Sequence, residues 1–187
     1  MKSINIKEFG SLDNLVFGSY DEPILGEEDV LIEVYCAGVS FADILVVEGK
    51  YQDTPELPFV PGLEVSGMIK KIGNNVKNLK IGDEVVALTK WGGFSELVCV
   101  NTSFVYRKSD NMDFDVAACM TINYGTSYYA LVERARIKKD DKILILGASG
   151  GIGLSAIEIA KAVGCNVTAA ASSELKLSVC AEFGADN

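Results

Sequence analysis

Toward its C-terminal end the chain carries Gly147-Ala148-Ser149-Gly150-Gly151-Ile152-Gly153. An apolar run, Lys142-Ile143-Leu144-Ile145-Leu146, precedes it, and Ile152, Ala156, Ile159, Ala160 and Val163 then recur at helical spacing. A buried strand, a glycine-rich turn and a helix, in that order, suit the pyrophosphate of a dinucleotide. Small residues let backbone approach a phosphate, and the unpaired amides of a helix N-terminus offer donors in a favourable field. Set against the pattern Gly-x-Gly-x-x-Gly, the stretch aligns at Ala148, Gly150 and Gly153, with Ala where the first glycine stands. Gly150 then admits the pyrophosphate and Gly153 lets the helix pack closely on the strand. Cofactor contacts are therefore expected from Ala148, Gly150, Gly151, Ile152 and Gly153. A turn that is glycine-rich only for packing is the plain alternative.

The elements that must hold this turn follow it. Gly164 ends the helix, and Asn166-Val167-Thr168-Ala169-Ala170-Ala171 reads as a second parallel strand. Ser172 and Ser173 then open a helix through Leu175, Leu177, Val179 and Phe183, closed by Gly184. Residues 126–187 thus hold one strand-helix-strand unit and one further helix, whereas an open doubly wound sheet needs two such halves. The expectation is a fragment of a longer chain; the alternative is that another copy supplies the missing surface.

Residues 1–125 read differently. Short strand patterns cover Lys2–Phe9, Leu15–Phe17, Asp29–Val39, Gly62–Gly73, Ile81–Leu88 and Gly92–Val100, broken by turn residues and by a loop with Pro55, Pro58 and Pro61. Val30, Ile32 and Val34 alternate with more polar neighbours, as in a half-buried strand. Many short strands at turn-marked intervals predict a small barrel-like or partly open β domain. Ser40 to Val47 predicts a short helical turn started by the Ser40 hydroxyl, Asp113–Cys119 a helix start, and Tyr124–Arg136 an amphipathic helix bridging the two domains.

Composition narrows the function. The 187 residues are 49% hydrophobic and 23% charged, with a net charge of -9, which opposes a general nucleic-acid surface because phosphate backbones demand a concentrated basic face. Cys36, Cys99, Cys119, Cys165 and Cys180 are scattered, and the chain has no His. That is neither a disulfide framework nor zinc-finger spacing, and it suits a reducing compartment. No apolar run reaches the ~18 residues of a membrane span, and Met1 to Lys7 has no signal-peptide core, so the expectation is a cytoplasmic protein.

The sequence resembles the medium-chain dehydrogenase/reductase superfamily, in its zinc-independent quinone oxidoreductase branch. The resemblance runs through essentially the whole chain. It is carried by Ala37-Gly38-Val39-Ser40-Phe41-Ala42-Asp43, Pro61-Gly62-Leu63-Glu64-Val65-Ser66-Gly67, Gly82-Asp83-Glu84-Val85, Gly92-Gly93-Phe94-Ser95-Glu96, Gly147 to Gly153 and Glu182-Phe183-Gly184-Ala185-Asp186. It implies a mixed fold: an N-terminal GroES-like, barrel-like β domain (1–125) followed by an α/β Rossmann domain (126–187), here incomplete. It also implies an active cleft between the domains and a dimeric parent protein, although the dimer surfaces lie largely outside this sequence.

Zinc-dependent relatives place a Cys ligand where this chain has Ser40 and a His ligand where it has Leu63. Glu64 remains, but a lone carboxylate cannot build a tetrahedral site, and the cysteine-rich lobe is absent between Gly92 and Val116. Metal-free hydride delivery to a small electrophile, a quinone or an activated alkene, is what the resemblance then implies. Ser40 stands where relatives often carry Asn near the nicotinamide ribose or substrate; a helix cap is its other reading. Tyr51 matches a tyrosine at the pocket edge, against a loop-packing aromatic. Thr126 matches a threonine near the nicotinamide, against a helix cap.

The end of the second strand bears on the choice of cofactor. An NAD site usually places Asp or Glu there for the ribose diol, and that carboxylate repels a 2′-phosphate. Here Ser172 and Ser173 offer hydroxyls and Lys176 a positive charge, which resembles the NADPH-binding members. Glu174 complicates this, but as a first-turn residue it can face solvent and favour the helix dipole. A solvated Lys176 is the plain alternative. The leading expectation is an NADPH-dependent quinone or enone reductase, or the N-terminal part of one. Enoyl-thioester reduction is a second reading. A noncatalytic module that binds cofactor weakly or not at all is a third.

Overall fold

The computed structural model describes residues 1–187, which divide into two compact units, Met1–Thr121 and Ile122–Asn187. The first unit is mainly antiparallel sheet. Strands β1 (Lys2–Ile6) and β2 (Leu15–Ser19) form a separate hairpin, with Ile4 opposite Phe17. Strands β3 (Asp29–Gly38), β4 (Glu64–Ile72), β5 (Glu84–Leu88), β6 (Leu97–Asn101) and β7 (Val105–Arg107) form a five-stranded sheet in the order β6-β3-β4-β5-β7.

Strand β3 does not alternate as the sequence predicts: Val30, Leu31 and Ile32 are all buried, so the strand is covered on both faces there. Val30 and Ile32 face a core built from Val65, Ile69, Val85, Ala87, Val98, Val100 and Val105. Each buried Val or Ile contributes about 1.5–3 kcal/mol relative to exposure, so this layer carries the first unit. Two bulges in the β3–β4 pairing, at Leu31/Ile32 and Val34/Cys36, bend the ladder. Glycine permits a close crossing at Gly67, where a Cβ would stand 2.0 Å from the Glu33 carbonyl oxygen. The strand expected from Gly92 begins only at Leu97; the Ser95 hydroxyl lies within 2.6 Å of the Gly92 carbonyl oxygen and 2.7 Å of that of Leu97, in the turn before it.

Helix α1 (Phe41–Val47) follows β3, and α2 (Phe114–Ala118) follows β7. Ser66 on β4 donates its hydroxyl to the Phe114 carbonyl, and the Tyr35 and Phe114 rings meet edge to face at 4.8 Å, so α2 is tied to the sheet by both a polar and an aromatic contact. Helix α3 (Met120–Tyr128) starts earlier than the sequence predicts. Thr121 and Asn123 have weak helix propensity. A tertiary bond compensates: Thr121 Oγ1 donates to the buried Glu64 carboxylate at 2.7 Å. Beyond Tyr128 the helix widens into a π-type segment, Tyr129–Arg134, in which Ala135 N–H reaches the Ala130 carbonyl.

The second unit contains β8 (Lys142–Leu146), α4 (Gly151–Val163), β9 (Asn166–Ala170) and α5 (Glu174–Glu182). Strands β8 and β9 pair in parallel, Lys142 with Asn166 through Leu146 with Ala170. On one sheet face Ile145, Val167 and Ala169 pack with Ala156, Ile157 and Ala160 of α4 and with Cys180 of α5. Gly164 takes φ +94° and ends α4 as Cys165 N–H closes back on the Ala160 carbonyl, a Schellman arrangement. The opposite face stays open: Leu144 and Leu146 are 62% and 75% exposed. No helix in the chain is long and apolar enough to cross a membrane.

Candidate functional site

The C-terminal ends of β8 and β9 meet at a shallow pocket of about 390 Å³, lined by Gly147, Ser149, Ala170, Ala171, Ser172 and Lys176. Open α/β sheets offer their crevice at this edge of the strands. The lining holds one cation and no carboxylate. Lys176 Nζ donates to Ser172 Oγ at 3.2 Å, so the ammonium and a hydroxyl sit side by side. Ser173 is used otherwise: it caps α5, its Oγ accepting the Lys176 N–H. Glu174 lies exposed in the first turn of α5 and does not line the pocket.

The glycine-rich turn enters from β8. Gly147, at φ +63°, makes the tight turn that the motif assigns to its first glycine, which explains why Ala148 can stand in that glycine's place. Ala148 is fully buried and its N–H donates to the Ala170 carbonyl, pinning the turn to β9. Gly150 is the N-cap of α4, and the first helical bond runs from Leu154 N–H to the Gly150 carbonyl. The amides of Gly151, Ile152 and Gly153 precede that bond and are the donors a bound anion would meet.

The glycines test whether a pyrophosphate fits. A Cβ on Gly150 would find only the Gly147 carbonyl oxygen, at 3.5 Å, so the space beside it is open. A Cβ on Gly153 would stand 2.5 Å from the Ala148 carbonyl oxygen, so this glycine is required by the helix packing on the turn. An open cradle at Gly150, free amides after it and a cation nearby form a donor set suited to a phosphorylated dinucleotide.

Helix α3 braces the cradle from behind. Ser127 Oγ donates to the Ile152 carbonyl at 2.8 Å and lies 2.8 Å from Ser155 Oγ. Ser155 Oγ is also within 3.1 Å of the Asn123 carbonyl and 3.0 Å of the Ile152 carbonyl. One turn further, the Tyr124 hydroxyl donates to the Glu158 carboxylate, and that bond, with burial, pushes the phenol up to about 12.

The other residues expected at a site fall elsewhere. Thr126 lies exposed on α3 and does not line the pocket. Ser40 and Tyr51 belong to the first unit. Ser40 is the N-cap of α1; its N–H and its hydroxyl both donate to Asp43 Oδ2, at 2.7 and 2.9 Å. Burial pushes the Asp43 carboxyl above its ordinary range, against the Ser40 bonds that pull it down. Tyr51 is half-buried in the loop after α1, its N–H donating to the Leu45 carbonyl. The chain assembles no group of three or more His, Cys, Asp or Glu side chains that could hold a metal ion.

Sequence reasoning missed Gly147, Ser149, Ser127 and Ser155. Gly147 and Ser149 lie inside the motif but outside its fixed positions. Ser127 and Ser155 look like ordinary polar helix residues until the fold sets them against each other.

Comparison with known proteins places these features. The alcohol dehydrogenase GroES-like domain family matches residues 26–110. Human quinone oxidoreductase is 35% identical over 176 residues, covering 93% of this chain and 54% of its own length. The chain spans about half the length of the curated relatives it matches. Among solved structures, a probable oxidoreductase from Mycobacterium abscessus superposes with a TM-score of 0.93 at 34% identity, over 100% of this chain and 60% of that one. The quinone oxidoreductase of Thermus thermophilus, solved alone and with NADPH, superposes with a TM-score of 0.87 at 31% identity, over 100% of this chain and 58% of that one.

Proposed function

From a chain that matches the quinone-oxidoreductase branch of the medium-chain dehydrogenase/reductase superfamily over most of its length, we infer an NADPH-dependent, metal-independent oxidoreductase acting on a quinone or an activated alkene. The observation that carries the cofactor reading is the pocket at the ends of β8 and β9. There Lys176 and Ser172 stand together and no carboxylate competes for a ribose diol. The NADPH complex of the Thermus thermophilus relative supports it.

Bound NADPH supplies a hydride. The chain's own residues bind and orient the carrier. The amides of Gly151, Ile152 and Gly153 receive the pyrophosphate, helped by the positive end of the α4 dipole. Gly150 leaves room for that approach. Ser172 and Lys176 receive the 2′-phosphate, the lysine as a point charge. Thr126 in the second unit, and Ser40 and Tyr51 in the first, are the polar side chains that the family resemblance assigns to cofactor or substrate. Because Ser40 gives its hydroxyl hydrogen to Asp43, it meets a ligand as an acceptor. Ser40 and Leu63 occupy the positions at which zinc-dependent relatives place ligands, so the reaction is assigned to positioning and water exclusion rather than to a Lewis acid.

Calorimetry of the 187-residue chain with NADPH and NADH tests the assignment. The expected result is tighter binding of NADPH by on the order of tenfold, about 1.4 kcal/mol, erased in Ser172→Ala/Lys176→Ala. Equal affinities in the wild type would refute the phosphate assignment, and binding of neither would refute the cofactor site. Turnover of 1,4-naphthoquinone against a crotonyl thioester then separates quinone reduction from enoyl-thioester reduction.

A further inference from the structure

We propose that Ser127 and Ser155 are positioning residues for the dinucleotide cradle: a buried hydroxyl pair through which α3 fixes the direction of the α4 N-terminal amides. The inference rests on the cofactor reading above and concerns what makes that cradle rigid.

The turn is flexible by composition. Gly147, Gly150, Gly151 and Gly153 leave four residues in seven without a Cβ to restrict the backbone. An anion site gains most from donors already aimed, since ordering them on binding subtracts from affinity. Something outside the turn has to aim them.

The Ile152 carbonyl shows what does. A peptide unit is planar, so the carbonyl oxygen of Ile152 and the N–H of Gly153 lie on opposite edges of one rigid plane. Ser127 Oγ lies 2.8 Å from that oxygen and Ser155 Oγ lies 3.0 Å from it. Hydroxyls that hold the oxygen therefore hold the donor on the other edge. Asn123 adds a steric stop: a Cβ on Gly151 would stand 2.8–3.0 Å from its side-chain amide, so the first residue of α4 already lies flush against α3. Asn123 and Ser127 are four residues apart and present one face of α3 to this turn.

Packing alone gives no reason for hydroxyls here. Both serines are 2% exposed, and a buried hydroxyl is costly unless bonded. Each finds partners only because the other, the Ile152 carbonyl and the Asn123 carbonyl are in reach. Alanine at both positions would fill nearly the same space and leave no orphaned hydroxyl, so it would preserve the fold while releasing the turn.

The test is Ser127→Ala/Ser155→Ala in the full 187-residue chain. It has two readouts: NADPH and NADH affinity by calorimetry, and backbone order of the Gly151, Ile152 and Gly153 amides by ¹⁵N relaxation without ligand. The expected result is a three- to tenfold weaker affinity for both dinucleotides, an unchanged NADPH/NADH ratio, a melting temperature near wild type and lower order at the three amides. Unchanged affinity and order in a folded variant would overturn the proposal; a changed ratio would also overturn it, by moving the effect to the phosphate pocket. Should the double variant fail to fold, Ser155→Ala alone is measured in the same way, and unchanged order there overturns the proposal. A wild type that binds neither dinucleotide would sink the cofactor reading instead, while amide order would still decide whether the serines fix the turn.

Discussion

Ser40 and Asp43 close the first turn of α1 on each other: one carboxylate oxygen of Asp43 takes both the N–H and the hydroxyl of Ser40, at 2.7 and 2.9 Å. Asp43 is 3% exposed, so its carboxyl is held almost out of water, bonded by Ser40 and also by the backbone of Leu63 and its own.

That balance predicts a pH dependence. Burial raises the Asp43 carboxyl above 3.8, its ordinary value, more than the Ser40 bonds lower it. The folded chain then holds this proton more tightly than the unfolded chain. Its stabilisation is fully present below the unfolded pKa and is lost as pH rises through the folded one. From urea melts, the stability of wild type minus that of Asp43→Asn should fall as pH rises through the raised folded pKa. Asp43→Ala removes the N3 acceptor of the capping box and should cost roughly 0.3–1.5 kcal/mol. A difference that grows with pH over that window would contradict the assignment.

Asp186 should behave in the opposite sense. Lys161 Nζ donates to its carboxylate at 2.7 and 2.8 Å, Val167 N–H donates at 2.6 Å, and these bonds lower its pKa. A lowered folded value means stability present above the unfolded pKa and lost as pH falls through the folded one. Asp186→Asn should flatten the acid limb of the stability curve below about pH 4. If acid melts of the two proteins keep a constant separation, the bond to Lys161 is not what holds residue 186 on β9.

The contrast between these two carboxylates shows how far the sequence could be read. The glycine turn, its flanking strand and helix, and the core-facing Val30 and Ile32 of β3 were legible because each is a local pattern with one physical use. That Ser172 and Lys176 fall beside one pocket was legible because they lie at a fixed offset from the second strand. What lay hidden depends on distant partners. Thr121 starts α3 early because Glu64, far away in sequence, accepts its hydroxyl. Ser127 acquires its partners only when α3 meets α4. The tight turn at Gly147 was missed because the motif's fixed spacing points to Ala148, whereas the positive φ falls one residue earlier.

Backbone strain outside the site supplies another prediction. Arg136 takes φ +54°, in the left-handed region that costs a residue with a Cβ roughly 1–2 kcal/mol. Arg136→Gly removes that strain but loosens the unfolded chain, so the expected net gain is about 0.5–1 kcal/mol. Arg136→Val, β-branched at the same φ, should destabilise instead. Thermal melts of both variants check the sign, and a stabilising valine would show that the strain is not there.

Gly150 and Gly153 separate binding from folding. An added Cβ at Gly150 meets only the Gly147 carbonyl oxygen, at 3.5 Å, an ordinary contact, whereas one at Gly153 lies 2.5 Å from the Ala148 carbonyl oxygen. Gly153→Ala must therefore displace α4 from the turn, at a cost of about 1–3 kcal/mol of stability, with dinucleotide affinity falling as a consequence. Gly150→Ala sits in the space through which the pyrophosphate approaches. It should leave the fold within about 1 kcal/mol of wild type, since it changes only the N-cap residue, yet weaken NADPH and NADH alike by at least the same factor as Gly153→Ala. Paired denaturation and calorimetry on the two variants decide it. Were Gly150→Ala to bind normally, the pyrophosphate would not pass over this turn, and the phosphate reading of Lys176 and Ser172 would have to stand without it.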